Sequence, residues 1–150
     1  MVTKKDTCQS CNSLTEQLIQ SYSSSLKMYS QFCKKYKQVA SHIKNEETKR
    51  YFYRIDKYYF DDADKIKWNT LEPLISPNIE SNVKRLYGGI LNENEIRLCC
   101  LLFLGLSAKE ISDILPFTQN SVHVISSRIK KKTGMKNIKE SLRKESIFCI

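Results

Sequence analysis

One segment of the chain carries side chains that can hydrogen-bond to flat polar groups and neutralise anions. In order along the segment these are Gln119, Asn120, His123, Ser127, Lys130 and Lys131, and the apolar Val124 lies among them. On a helix of 3.6 residues per turn they share one side, because Val122, Ile125 and Ile129 occupy the other. No Gly-rich phosphate loop and no pair of nucleophile and base is visible, so the sequence predicts binding rather than catalysis.

Short helices with clear start signals should position this face. Asn92 with Glu95, and Ser107 with Glu110, have the spacing of capping boxes, and Thr118 can cap the helix that carries the polar face. The expected ends of the three helices are Gly105, Pro116 and Gly134. Three capped helices with short turns between them predict a helix-turn-helix.

The positive charge is concentrated near the same segment. The 150 residues carry a formal charge of +9, and Arg128 to Lys144 contains eight basic residues and one acidic residue. A helix-turn-helix with this concentration of positive charge favours double-stranded DNA as the partner. The third helix, about residues 119 to 133, would then lie in the major groove. A solvated surface is the alternative interpretation of a polar face on a helix that stands alone.

The first 90 residues predict long helices. From Ile19 to Ile43 apolar residues recur at steps of three and four, which fits either one arm of an intramolecular hairpin or an intermolecular coiled coil. A second helix is expected over Glu46 to Ile66. Ser76-Pro77 should start a short helix that stops at Gly88-Gly89. We place a domain boundary there, with a helical linker or dimerisation region over 1–90 and a DNA-binding domain over 91–150.

The segment from Leu91 to Met135 resembles the LuxR-type (NarL/FixJ) helix-turn-helix. The matching positions are Leu91, Glu95, Gly105-Leu106-Ser107, Lys109-Glu110-Ile111, Leu115, Ser121-Val122, Ile129 and Lys132. The tyrosines and Trp68 ahead of it more loosely resemble the cytoplasmic ends of Bacteroidetes helix-turn-helix regulators. The resemblance implies a transcriptional regulator whose fourth helix, about Asn137 to Arg143, often dimerises.

The resemblance also implies roles for particular residues. It assigns base contacts to His123, Val124 and Ser127. It makes Lys109, Thr118, Ser121 and Lys131 candidate phosphate contacts, and Lys130 joins them as a neighbouring exposed cation.

The cysteines and His42 do not form a recognisable metal or phosphotransfer site. Cys8 and Cys11 have metal-ligand spacing but no second pair or nearby His to complete four ligands, so we expect neither a metal nor another cofactor. His42 fits a surface histidine better than a phosphoacceptor. Six cysteines without a signal peptide indicate a cytoplasmic chain, and the longest apolar run is about half of a bilayer span.

Taken together, the sequence predicts an all-α protein that is not an enzyme: long N-terminal helices, in a hairpin or coiled coil, followed by a C-terminal LuxR-type helix-turn-helix bundle. Its expected function is sequence-specific DNA binding as a homodimer, with RNA polymerase or a sensor protein as candidates for further partners. The alternative is a helical protein–protein interaction module that uses the same fold without DNA.

Overall fold

The computed structural model describes residues 4–61, 65–75 and 77–145, with side chains from Ser13 onward. Over these residues the chain is all-α, as predicted. The helices are α1 (Lys4–Ser41), α2 (Glu46–Tyr59), α3 (Trp68–Leu71), α4 (Pro77–Tyr87), α5 (Glu93–Phe103), α6 (Ala108–Ile114), α7 (Gln119–Thr133) and α8 (Ile138–Lys144), with a 3₁₀ turn over Glu72–Leu74.

The apolar stripe of α1 packs within the chain's own core. Ile19, Leu26 and Cys33 are almost completely buried, and Tyr22, Tyr29 and Tyr36 pack beside them. The structure therefore adopts the intramolecular alternative for this stripe. The hairpin with α2 is held by Tyr36, whose ring stacks on Phe52 at 5.4 Å between centroids.

The predicted helix over Glu46 to Ile66 is wrong at its C-terminal end. Helix α2 ends at Tyr59, and Phe60 pairs with Ile66 in an isolated antiparallel bridge. The Asp61 carboxylate accepts a hydrogen bond from the backbone N–H of Lys65 at 2.9 Å, which favours a turn over helix continuation. Phe60 and Ile66 are both buried by this reversal, a gain that a straight helix would not provide.

The helices after residue 76 follow the predicted signals. Helix α4 begins at Pro77 and ends at Tyr87, one residue before Gly88, while its expected cap Ser76 lies outside the described residues. Capping boxes are present at Asn92 with Glu95 and at Ser107 with Glu110. Gly105 adopts a φ of 86°, a left-handed conformation that allows the sharp turn between α5 and α6.

Helix α5 lies at the centre of the C-terminal part. Seven of its residues are buried, and the helix packs against α4, α7 and α8. The buried apolar side chains of the described residues form one cluster that extends from Ile19 on α1 to Leu142 on α8. The domain boundary near residue 90 stays a prediction.

In the described part of the chain, no helix combines the length and the apolar character that crossing a bilayer requires.

Candidate nucleic-acid interface

Local signals define helix α7 at both ends. The Thr118 hydroxyl accepts a hydrogen bond from the Ser121 N–H at 3.1 Å, satisfying one of the backbone donors left over at the start of the helix. Gly134, at φ 76°, ends it in the left-handed conformation, with its N–H bonded to the Lys130 carbonyl. Both signals were predicted from the sequence.

Two buried side chains fix the rotation of α7. Val122 and Ile129 are 1% and 0% exposed. At about 100° per residue, Val124, Ser127 and Lys131 lie opposite these two residues, and His123 and Lys130 lie along one edge of the same face, about a quarter of a turn from the buried side. All five are exposed, as are Gln119 and Asn120. The structure therefore brings the three predicted base-contact residues together with two of the predicted phosphate contacts on one open face.

The other predicted phosphate contacts lie around the start of α6 and α7. Lys109 is exposed in the first turn of α6, and Thr118 is exposed at the cap of α7. Ser121 is half-buried, and its hydroxyl accepts a hydrogen bond from Thr118 at 3.0 Å. Thus Thr118 and Ser121 serve the start of the helix itself.

The hydroxyl and ammonium groups on the open face differ in how many of their interactions are already made within the protein. The Ser127 hydroxyl donates to the His123 carbonyl at 3.1 Å, so its oxygen is left to accept hydrogen bonds from solvent or a ligand. Lys130 and Lys131 form no ion pair with another described residue. Their positive charge is directed to solvent.

Negative charge is absent from the sequence around this face. Residues 114 to 139 include six basic residues and no aspartate or glutamate. The two acidic residues just before this span, Glu110 and Asp113, pair with Lys27 and Lys34 of α1 at 3.5 and 2.7 Å. Helix α1 thus offsets the acidic side of α6.

The Glu110 carboxyl is stabilised in its charged form. Partial burial opposes ionisation, but the Ser107 N–H and hydroxyl and the Lys27 ammonium group together lower its pKa below the ordinary value. The carboxylate therefore completes the cap of α6 and anchors α1 at the same point.

Sequence reasoning missed an ion pair that joins α7 to α5. The Lys132 ammonium group lies 2.6 Å from the Glu95 carboxylate, and Glu95 is only 3% exposed. The sequence indicates Glu95 as the capping-box residue of α5 and as a position shared with LuxR-type helix-turn-helices. No local pattern predicts its pairing with a lysine 37 residues later. Lys132 consequently contributes to the position of α7 and not to its open face.

Arg143 is a second residue whose role was missed. Its guanidinium group donates two hydrogen bonds to the Phe103 carbonyl at the end of α5, at 3.2 and 3.1 Å. It also pairs with Glu16 of α1 at 3.4 Å. This arginine therefore links α1, α5 and α8. In the sequence it is only one of the eight basic residues between Arg128 and Lys144.

The cysteines of α5 are unsuited to chemistry at neutral pH. Burial, with a smaller contribution from Glu95, raises the pKa of Cys99 to about 12, and burial raises the pKa of Cys100 further. Both therefore remain neutral thiols in the core. No cluster of potential metal ligands occurs among the described residues, and the side chains of Cys8 and Cys11 lie outside them.

Comparison with known proteins gives no independent identification: no family model, curated protein or solved structure matches this chain.

Proposed function

We propose that the protein is a sequence-specific, DNA-binding transcriptional regulator of the LuxR type that acts in the cytoplasm as a homodimer. The observation that carries the proposal is the open face of α7, which combines an imidazole, a hydroxyl and two lysines that pair with no other described residue, opposite a buried face. A helix of this kind can enter a major groove, which is wide enough to admit it.

Two groups of contacts follow from the proposal. His123, Val124 and Ser127 contact base edges, with the Ser127 oxygen as an acceptor and the Val124 methyl groups suited to the methyl of thymine. The second group contacts phosphates and fixes the helix in the groove. Its members are Lys109, Thr118, Ser121, Lys130 and Lys131.

One module of this size makes few base contacts, so the proposal includes two copies on spaced half-sites. A dimer doubles the number of contacts and requires that the half-site spacing match the separation of the two α7 helices.

The test is a fluorescence anisotropy titration of the full chain against random duplexes and genomic upstream fragments at two salt concentrations. We expect fragment-selective binding that weakens with salt, because binding releases counterions from the duplex. Replacing Lys130 and Lys131 with glutamine should weaken binding to every duplex. The salt slope should fall by about 0.9 for each phosphate that the variant no longer neutralises.

A matched control separates this local effect from net charge. Lys44 and Lys49 are also exposed, and they lie in the turn before α2 and in the first turns of α2. Replacing both with glutamine removes the same charge and should leave DNA binding nearly unchanged. Equally weakened binding in the two variants would show non-specific attraction, and no binding by the folded wild type at low salt would contradict the proposal.

Exposed apolar side chains on α1 and α2 favour a second candidate function, a helical module that contacts another protein without DNA. Met28, Phe32 and Tyr58 are each about two-thirds exposed or more. In that case the lysine substitutions on α7 would change neither partner binding nor thermal stability.

A further inference from the structure

Helix α1 has a second apolar stripe that its own core does not use. It follows alternating steps of four and three residues through Leu14, Leu18, Ser21, Ser25, Met28, Phe32, Lys35 and Val39. The five apolar members are between 39% and 71% exposed, and the two serines and Lys35 are exposed as well. Such spacing is the repeat that allows two helices to pack along a common seam.

The stripe lies apart from the buried face of α1. Its centre is offset by about a third of a turn of the helix from Ile19, Leu26 and Cys33. Where α2 joins α1, the stripe continues into an apolar cavity of about 370 Å³ that is lined in part by Phe32 and Tyr59. The exposed surface therefore spans both helices of the hairpin.

We infer that this stripe binds the same stripe of a second copy of the chain, with the two α1 helices antiparallel. The inference rests on the proposed function for its biological role, since such a dimer presents two α7 helices to one duplex. The interface itself involves α1 and α2 alone.

The charge distribution favours a self-partner at this position. In a chain of net charge +9, the stripe contains one charged residue, Lys35. The row of residues along its outer edge is uncharged and consists of Gln17, Ser24, Gln31 and Gln38, all of them exposed. Two copies can approach here with little of the repulsion that the basic surfaces elsewhere would produce.

The sizes of the side chains favour the antiparallel arrangement. Centred between residues 26 and 27, it pairs positions as Leu14 with Val39, Leu18 with Lys35, Ser21 with Phe32, and Ser25 with Met28. Phe32 and Met28 then meet serines, so each fills space that a small residue leaves. A parallel pair would instead place Phe32 on Phe32, Lys35 on Lys35, and the serines on one another.

The available area approaches that of a stable association. Residues 14 to 39 span about 39 Å of helix at about 1.5 Å per residue. Half the circumference of a helix about 11 Å across gives a strip of roughly 700 Å² per subunit. Stable complexes typically bury about 800 Å² per partner, and the exposed Ile55 and Tyr59 of α2 extend the strip.

The first test is sedimentation equilibrium of the full chain without DNA. We expect a dimer, and we expect Phe32→Lys to raise its Kd by at least about tenfold, because a charge replaces a central apolar contact. Phe32 is 67% exposed, so the variant should fold, which circular dichroism checks. The matched control is Gln20→Lys, which adds the same charge at an exposed position of α1 about a third of a turn from the centre of the stripe.

Three results would contradict the proposed interface. A wild type that stays monomeric at high micromolar concentration, or a dimer that Phe32→Lys leaves intact, would overturn the inference. Dissociation of both the Phe32 and the Gln20 variants would also overturn it, since net charge would then control association.

Orientation is tested with Leu18→Glu. In the antiparallel dimer the new carboxylate meets the partner subunit's Lys35, so the dimer should persist, whereas the double variant Leu18→Glu/Lys35→Glu should dissociate. In a parallel dimer the two carboxylates would face each other. Dissociation by the single change as complete as that of Phe32→Lys would overturn the antiparallel arrangement.

The interface and DNA binding can fail separately. A stable dimer without DNA binding would refute the DNA-binding proposal and retain the interface. Salt-sensitive, fragment-selective binding by a chain that never dimerises through α1 would do the reverse.

Discussion

Helices α1 and α7 each bury one face in the same core but expose opposite chemistry. The exposed stripe of α1 contains Leu14, Met28 and Phe32, whereas the exposed face of α7 contains Ser127 and Lys130. Burial of a face therefore identifies a helix as part of the fold, and only the chemistry of the remaining surface indicates its partner. Apolar side chains favour another protein surface, and exposed cations with hydroxyls favour a polyanion.

Truncating a buried residue of α7 and an exposed residue of α1 should change stability by very different amounts. Ile129→Ala should lower the free energy of unfolding by about 2–5 kcal/mol, because Ile129 is fully buried and its truncation leaves a cavity. Phe32→Ala should lower the stability of the monomer by less than about 0.5 kcal/mol. Urea denaturation of dilute protein measures both values. Similar destabilisation in the two variants would mean that Phe32 packs in the core.

A smaller effect is expected where α7 is joined to α5. Glu95→Ala should cost about 1–3 kcal/mol, since it removes both the capping-box carboxylate and the buried partner of Lys132. Glu93→Ala is the control. It removes a carboxylate two residues earlier that is mostly exposed in its pair with Arg97, and it should cost less than about 0.5 kcal/mol. Thermal unfolding followed by circular dichroism would decide whether the pair of the buried Glu95 with Lys132 stabilises the fold more than the exposed pair does.

The start of α7 offers a test that changes one hydrogen bond. Thr118→Ala removes the acceptor of the Ser121 N–H and should lower stability by about 1 kcal/mol, while Thr118→Ser keeps a hydroxyl and should restore most of it. Chemical denaturation gives the stabilities. If the serine variant were as unstable as the alanine variant, the hydroxyl cap would not explain the effect.

The smallest effect concerns the contact between α1 and α6 at acidic pH. Because the folded protein lowers the pKa of Glu110 below its usual value, this carboxyl stabilises the fold above its unfolded pKa, and the contribution disappears as pH falls through the folded value. Glu110→Gln should therefore reduce the fall in stability between about pH 5 and pH 3. The group is about a third exposed, so the change is expected to be modest. An unchanged pH profile would contradict this role.

What the sequence predicted well depends on nearby residues. The caps at Asn92, Ser107 and Thr118 each require a partner three residues away, so a short pattern specifies them fully. The rotation of α7 was predictable for the same reason, because Val122 and Ile129 are apolar residues of a short amphipathic helix.

Most of the missed features join residues that are far apart in the sequence, and the end of α2 is the exception. The end of α2 depends on Phe60 meeting Ile66, and helical periodicity continues across that reversal in the sequence. The link from Lys132 to Glu95 and the position of α1 on α6 join segments dozens of residues apart. An apolar stripe indicates that a helix packs, but it does not say against what, which is why the N-terminal half was predicted less well than the C-terminal half.

The pair between Arg143 and Glu16 joins residues 127 positions apart, and this has a consequence for synthesis of the chain. At roughly 5–20 residues per second, a ribosome needs about 6 to 25 s to make Arg143 after Glu16. In the later part of that interval α1 has left the ribosome before α6 and α8, which pair with it through Glu110 and Arg143, are complete, and both of its apolar stripes then face solvent. Nascent chains of this protein should therefore engage chaperones through α1, and two neighbouring nascent chains on one messenger RNA can pair before either has folded.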